Sequence, residues 1–152
     1  MTLPRIGDAR AEDDAAIRGL LSAVQLPVTD LDAAAWQRFQ VARDGGRIVG
    51  SVALDRAGDA ALLRSLAVAP ETRRHGLGRA LVQAAEARAR ELDVMTLYLL
   101  TTTAAPFFER LGYVPLDRAR APQAIAALPQ FAGVCPSSAA LLRKRLAPGA
   151  AS

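Results

Sequence analysis

Apolar positions along this chain recur with two different periods, and the switches between them mark out the elements. Ala16, Leu20, Leu21 and Val24 share one face at helical spacing, so Ala11 to Val24 reads as a helix, broken at Pro27. Ahead of it, Pro4 to Ala9 reads as a short strand, ended by the polar run Asp8 to Asp14. Thr29 and Asp30 are N-cap residue types and predict a second helix through Leu31, Ala35 and Trp36. Phe39 to Arg43 and Arg47 to Leu54 read as two strands joined through Asp44-Gly45-Gly46, a hairpin signal. A turn over Arg56 to Asp59 leads into the next strand, Ala60 to Ala69, which Pro70 ends.

The longest helical pattern follows, Leu77 to Leu92, ending near Asp93. Thr96 to Thr101 is a compact apolar strand. Pro106 opens a short helix to Leu111, stopped by Gly112, since proline suits a first helical turn and glycine suits the position after the last. Tyr113 to Leu116 reads as a brief strand, Ala121 to Ala127 as a helix and Ala139 to Leu146 as a last strand. Early hairpins and a late crossover helix imply an α/β (α+β) fold with a mixed sheet and helices on both faces. The pattern shows no repeat and no linker, so residues 1–147 read as one domain and 148–152 as a loose tail.

Composition narrows the class. The chain has 152 residues, 51% of them hydrophobic, which suits one domain with a real core and disfavours disorder. No apolar run approaches the roughly 20 residues that span a bilayer, and acids near the start, Asp8, Glu12, Asp13 and Asp14, do not resemble an export signal. Cys135 is the one cysteine, so no internal disulfide is expected, and the reading is cytoplasmic. The net charge of +4 is spread along the chain, with Lys144 the one lysine and arginines carrying the rest. No aromatic residues interleave with a basic run, so a small polyanion is a better partner than nucleic acid. The apolar last strand leaves monomer and homodimer both open.

The clustered part of the charge is Arg73-Arg74-His75-Gly76-Leu77-Gly78-Arg79, between a strand and a helix. Strand, glycine turn, helix N-terminus: that order gathers free backbone N–H groups at the positive end of a helix dipole and suits a diphosphate. It is not a Rossmann turn, because Leu81 stands where a third glycine belongs, and not a Walker loop, because Gly-Lys-Ser/Thr is absent. The alternative is an ordinary turn with solvated arginines. His75 has no orienting partner and no companion histidine, so neither a base nor a metal ligand is read there, and no metal site is expected.

Arg73-x-x-Gly76-x-Gly78 resembles the acyl-CoA signature of the GCN5-related N-acetyltransferases, the GNAT superfamily. Leu66-Ala67-Val68-Ala69-Pro70 looks like that family's central strand. Ala105-Pro106-Phe107-Phe108-Glu109-Arg110-Leu111-Gly112-Tyr113 is similar to its second signature. The resemblance covers residues 60 to 116 and implies a splayed sheet of about six to seven strands. It implies acetyl-CoA as co-substrate, with pantetheine in the gap between the central strand and Thr96 to Thr101, pairing with Leu66 and Val68 beside Ala67. The diphosphate is then implied to rest on N–H groups from Arg74 to Arg79, with Arg73 beside it and Thr102, Phe107 and Phe108 lining the coenzyme.

The implied chemistry is direct attack of an amine on the thioester, which needs a polarised carbonyl, a base for the amine and a proton for the leaving sulfur. A backbone N–H of Leu66 or Val68 is implied for the carbonyl. The family's usual tyrosine acid is here Phe108, which has no proton to give. Tyr98 faces either the cleft or the core; Tyr113 fills a packing slot; Cys135 is an acid, a relay or a small apolar filler; water is the default donor. Where the family frequently carries a carboxylate, this chain has Arg64 and Ser65. Ser65 suits alignment of a water, whereas Arg64 suits an anionic group of the acceptor or plain solvent. Thr101, Thr102 and Thr103 put three hydroxyls at the end of the neighbouring strand.

The runs Leu99 to Phe108 and Gln130 to Ala139 are similar to a narrower branch, the acetyltransferases associated with bacterial arsenic resistance. These are related to enzymes that acetylate arsinothricin or phosphinothricin. That likeness implies a small amino-acid-like amine as acceptor, with Arg64, Thr101 and Thr103 as oxyanion contacts. A protein or peptide N-acetyltransferase and a non-catalytic acyl-CoA sensor are the competing readings.

Overall fold

The computed structural model describes residues 4–134 and 138–147, apart from the side chains of Arg73, Arg74, His75 and Val134. Cys135 and the expected tail 148–152 lie outside the described residues. The strands are β1 (Arg5–Asp8), β2 (Phe39–Asp44), β3 (Arg47–Ala57), β4 (Ala60–Val68), β5 (Thr96–Thr101), β6 (Val114–Leu116) and β7 (Ala140–Arg145). The helices are α1 (Asp14–Ala23), α2 (Leu77–Glu91), α3 (Ala105–Glu109) and α4 (Gln123–Ala126). The strands form one mixed seven-stranded sheet, in the order β1-β2-β3-β4-β5-β7-β6, flanked by the helices. The chain falls into two compact units, Met1–Leu54 with Ser65–Ala85, and Asp55–Arg64 with Glu86–Ser152.

In the first unit, β1, β2 and β3 form an antiparallel meander, running from Arg5↔Arg43 to Asp8↔Gln40 and from Phe39↔Ala53 to Asp44↔Arg47. The second register closes around Gly45-Gly46, as the sequence predicts. Helix α1 buries Ile17, Leu20 and Leu21, a stripe at i, i+3 and i+4. Ala16, expected on that face, is exposed instead. The larger Ile17 takes the inward position, since it removes more apolar surface from water.

The second helix expected from Thr29 does not form; only a 3-10 turn, Ala35–Arg38, appears. Its carbonyls have other donors. Arg18 Nη2 donates to the carbonyls of Leu31 at 3.1 Å and Asp32 at 2.8 Å, and Asp32 Oδ1 accepts from Ala34 N–H at 3.0 Å. An aspartate that bonds its own backbone two residues on favours a turn over a helix.

In the second unit the parallel ladder of β4 with β5 holds three pairs, Ala60↔Thr96 to Leu62↔Tyr98, while the end of β4, from Ser65 to Val68, belongs to the first unit. Strand β7 pairs antiparallel with all of β5 and with β6. Leu62, Tyr98, Ile125 and Leu141 form a core cluster, with Phe131 and Leu116 packed against it. Helix α2 ends on Asp93 at φ 60°, with Val94 N–H reaching back to Ala89 C=O at 2.8 Å, the left-handed closure that satisfies last-turn carbonyls.

Asp13 anchors the entry to α1. Its carboxylate takes a two-point contact from the Arg43 guanidinium and accepts Arg10 N–H at 2.7 Å. The hydrogen bonds from Arg43 hold the Asp13 carboxyl below the usual carboxylate range, against an opposing push from burial. A depressed folded-state value stabilises the protein above the unfolded pKa, near 4, and that contribution is lost as pH falls through the folded value. Asp13→Asn should therefore cost about 1–3 kcal/mol at pH 7, and the gap to wild type should narrow steadily below about pH 4. Urea denaturation at pH 7, 4 and 3 checks this; a gap independent of pH would assign the stability elsewhere.

Candidate functional site

Strand β4 carries the first half of the site. It is buried from Ala60 to Ser65, as a strand covered on both faces must be, yet it contains two polar residues there. Arg64 is not solvent-facing: its side chain is 1% exposed and Nη1 lies 3.1 Å from Asp55 Oδ2. The buried guanidinium gains a counter-charge from Asp55, which a solvated arginine would not need. Ser65 is also buried, and it stands in the left-handed region at φ 56°. Its carbonyl accepts from Ser51 Oγ at 2.9 Å, and Ser51 is fully buried.

Beyond Ser65, Leu66 and Val68 are half-buried and alternate with buried Ala67 and Ala69. Ala69 N–H donates to Val49 C=O at 2.8 Å, and Pro70 opens a 3-10 helix, Pro70–His75, where proline's missing donor is no loss. Thr72 Oγ1 and N–H both bond the Ala69 carbonyl, at 2.8 and 2.9 Å. Glu71 pairs with Arg47 on the surface; its own backbone N–H first, then the charge of Arg47, holds its carboxyl below the usual range.

Gly76 closes this turn at φ 68°, a conformation that a side chain resists. A Cβ there would meet nothing within 4 Å, so the position is also open. The first bond inside α2 runs from Ala80 N–H to Gly76 C=O at 3.1 Å. The N–H groups of Leu77, Gly78 and Arg79 thus stand ahead of the helix's own ladder, and Arg79 is exposed. Leu77 is buried. It lies with Leu81 over Gly50 of β3, where a Cβ would come within 2.8 Å of Leu81 Cδ1. All of this belongs to the first unit, and its arrangement suits an extended anion. Gly50 and Ser51 escaped the sequence reading. The one available signal was a glycine inside a strand, which marks a close approach.

The remaining candidates lie in the second unit. Tyr98 is buried in the core cluster. Thr101 Oγ1 accepts Ala104 N–H at 2.9 Å and shapes the turn into α3, while Thr102 and Thr103 are exposed. Phe107 is half-buried. Phe108 is buried, edge-on to Phe107 at 5.0 Å and to Tyr113 at 5.7 Å between ring centres.

Tyr113 has a partner that sequence reasoning did not find. Its hydroxyl donates to Glu86 Oε2 at 2.9 Å, and Lys144 Nζ contacts both Glu86 oxygens, at 3.1 and 3.0 Å, and the Leu111 carbonyl at 2.9 Å. Burial first, and then the charge of Glu86, push the Tyr113 phenol well above its ordinary value. A phenol held this firmly in its protonated form packs and donates to Glu86; it is no proton source for a substrate.

The family model of the acetyltransferase (GNAT) domain matches residues 35–115. An amino-acid acetyltransferase from Pseudomonas putida is 38% identical over 94 residues, 60% of this chain and 22% of the relative. One from Azotobacter vinelandii is 39% identical over 93 residues, with 60% and 22% covered. The chain thus spans about a fifth of the length of these curated relatives. Among solved structures, N-acetylglutamate synthase from Neisseria gonorrhoeae, complexed with coenzyme A and N-acetyl-glutamate, has a TM-score of 0.85 at 19% identity, over 97% of this chain and 36% of that one. Rv2747 from Mycobacterium tuberculosis, in complex with CoA, has a TM-score of 0.79 at 23% identity, over 95% and 100%. At such identities the likeness is one of fold.

Removing the centre of the Tyr113–Glu86–Lys144 group should cost far more than removing its edge. Glu86→Ala leaves a half-buried ammonium without its counter-charge and should lose about 3 kcal/mol, whereas Tyr113→Phe should lose about 1 kcal/mol. Equal losses in urea denaturation would mean that the carboxylate does not organise the group.

Proposed function

We propose that this chain, which belongs to the GNAT acetyltransferase family, transfers the acetyl group of acetyl-CoA to the amine of a small amino acid. The observation that carries the reading is the left-handed Gly76 between the turn after β4 and the first N–H groups of α2, which together form an open cradle of donors. The diphosphate is assigned to the N–H groups from Arg74 to Arg79, with Arg73, Arg74 and Arg79 as nearby charges. Pantetheine is assigned to the backbone of Leu66 and Val68, on the likeness of Leu66 to Pro70 to the family's central strand.

Acetyl-CoA supplies an activated acyl carbon: a C–N bond forms there as the C–S bond breaks, the amine nitrogen gives up a proton, and the sulfur gains one. An N–H of Leu66 or Val68 stabilises charge developing on the carbonyl oxygen. The sulfur's proton is assigned to water, since Phe108 has none to give, Tyr113 is committed to Glu86 and Tyr98 is packed in the core. Ser65 is the candidate to align a water that takes the amine's proton.

For the acceptor, the named activity of the amino-acid acetyltransferases supports an α-amine. The likeness of Leu99 to Phe108 and of Gln130 to Ala139 to arsenic-resistance acetyltransferases supports an anionic side chain: an acidic amino acid, or a phosphinic or arsinic analogue such as phosphinothricin or arsinothricin. Thr101 and Thr103 are assigned to that oxyanion. Arg64, already held by Asp55, is the weaker candidate.

Thiol release should rise severalfold over the amine-free rate with glutamate or its phosphinic analogue, and not with peptides. Activity on peptides alone would favour a protein acetyltransferase, and tight acetyl-CoA binding without turnover would favour a sensor. Gly76→Val should raise the Kd for CoA at least about tenfold, through the strained φ and the obstructed cradle, with the far-UV spectrum unchanged. Unaltered CoA affinity would mean that the cradle is misplaced.

A further inference from the structure

We propose that Ser51 is a positioning residue for acyl transfer: its buried hydroxyl fixes the left-handed backbone of Ser65 and so aims the segment Leu66–Val68 at the acyl group. The inference rests on the function proposed above, and it concerns a residue outside the acyl-CoA signature.

Three observations meet at β3. First, Ser65 holds φ 56° in the middle of a buried strand, where a side chain disfavours that conformation and no glycine relieves it. Such a residue persists only where its surroundings over-determine it. Second, Ser51 supplies that determination. It is 0% exposed, at a place where a strand covered on both faces would ordinarily carry an apolar side chain, and its hydroxyl donates to the Ser65 carbonyl at 2.9 Å. Removal of the hydroxyl would strip that carbonyl of its side-chain donor in a buried place.

Third, the anchor has a counterpart two residues earlier. Val49 C=O accepts Ala69 N–H at 2.8 Å, so Leu66, Ala67 and Val68 are held at both ends, by Ser51 before and by Val49 after. Between the two, Gly50 lets Leu77 and Leu81 of α2 lie against the strand. Three consecutive residues, Val49-Gly50-Ser51, therefore set the left-handed turn at Ser65, the end of the strand and the seat of the helix. Ser51 is the member whose side chain acts. Its effect passes through the backbone of Ser65 to the N–H groups that meet the thioester carbonyl, and small misplacement of such donors has large kinetic consequences.

The test compares wild type with Ser51→Ala and Ser51→Thr by kcat, by KM for acetyl-CoA, by the Kd for CoA, and by hydrogen exchange over Ser65 to Ala69. CoA lacks the acetyl carbonyl and so reads the cradle without the aimed donor. Ser51→Ala should lower kcat about tenfold while the Kd for CoA moves less than about threefold, and exchange at Leu66–Val68 should quicken about tenfold in the folded protein. Ser51→Thr keeps the hydroxyl and should restore most of both. An unchanged kcat, a fall in kcat matched by an equal loss of CoA affinity, or unchanged exchange would each overturn the proposal. Were Ser51→Ala not to fold, the double variant Ser51→Ala/Ser65→Gly, where glycine takes the left-handed conformation freely, is compared with Ser65→Gly alone. Equal exchange in these two would overturn the proposal. If wild type acetylates no amine tested, the proposed activity falls by itself, and exchange alone then decides whether Ser51 holds the backbone of Ser65.

Discussion

A buried strand must pair its backbone N–H and C=O groups or offer them to something else, and β4 lives under that constraint. Its first residues pair with β5, and its later ones run past the last pair. The proposed role of its main chain, meeting a ligand from inside a hydrophobic sheet, requires that the strand be turned without being loosened. The turn comes at Ser65, in a conformation uncommon for a residue with a side chain. The firmness comes from β3, whose serine hydroxyl and valine carbonyl take hold on either side. The 3-10 helix, Gly76 and the start of α2 follow from where that strand ends.

Much of this was legible in the sequence, because it depends on local chemistry. Thr96 to Thr101 reads as a strand from its apolar run and is one with those same bounds. Ala60 to Ala69 reads as a strand and loses only its last residue, which Pro70 follows. Gly45 and Gly76 announce their turns because few other residues take those backbone angles. What could not be read depends on partners far along the chain. The left-handed Ser65 has no glycine to betray it; its determinant lies 14 residues earlier. Arg64 looks like a solvent or substrate residue until Asp55, nine residues before it, arrives on the neighbouring strand. The helix expected from Thr29 fails because Arg18, from another element, takes the carbonyls of Leu31 and Asp32. Pattern reports what a segment prefers, and tertiary donors decide whether it is allowed.

The polar residues inside the two units divide into those that hold and those that offer. Arg64 with Asp55, and Glu86 with Tyr113 and Lys144, pair with one another and fix the elements that carry them. In the proposed acyl-CoA site the groups assigned to the ligand are mostly main chain. A site made from backbone donors tolerates wide variation in side chains, and this explains how a chain with phenylalanine at position 108 still fits an acetyltransferase family.

Lys144 is the single lysine in the sequence, and its three ammonium protons are directed at two carboxylate oxygens and a carbonyl. Acylation needs a nitrogen lone pair, and this one is tied up as N–H bonds to acceptors. With its single lysine held in this way, the chain leaves no ε-amine uncommitted and open to acylation.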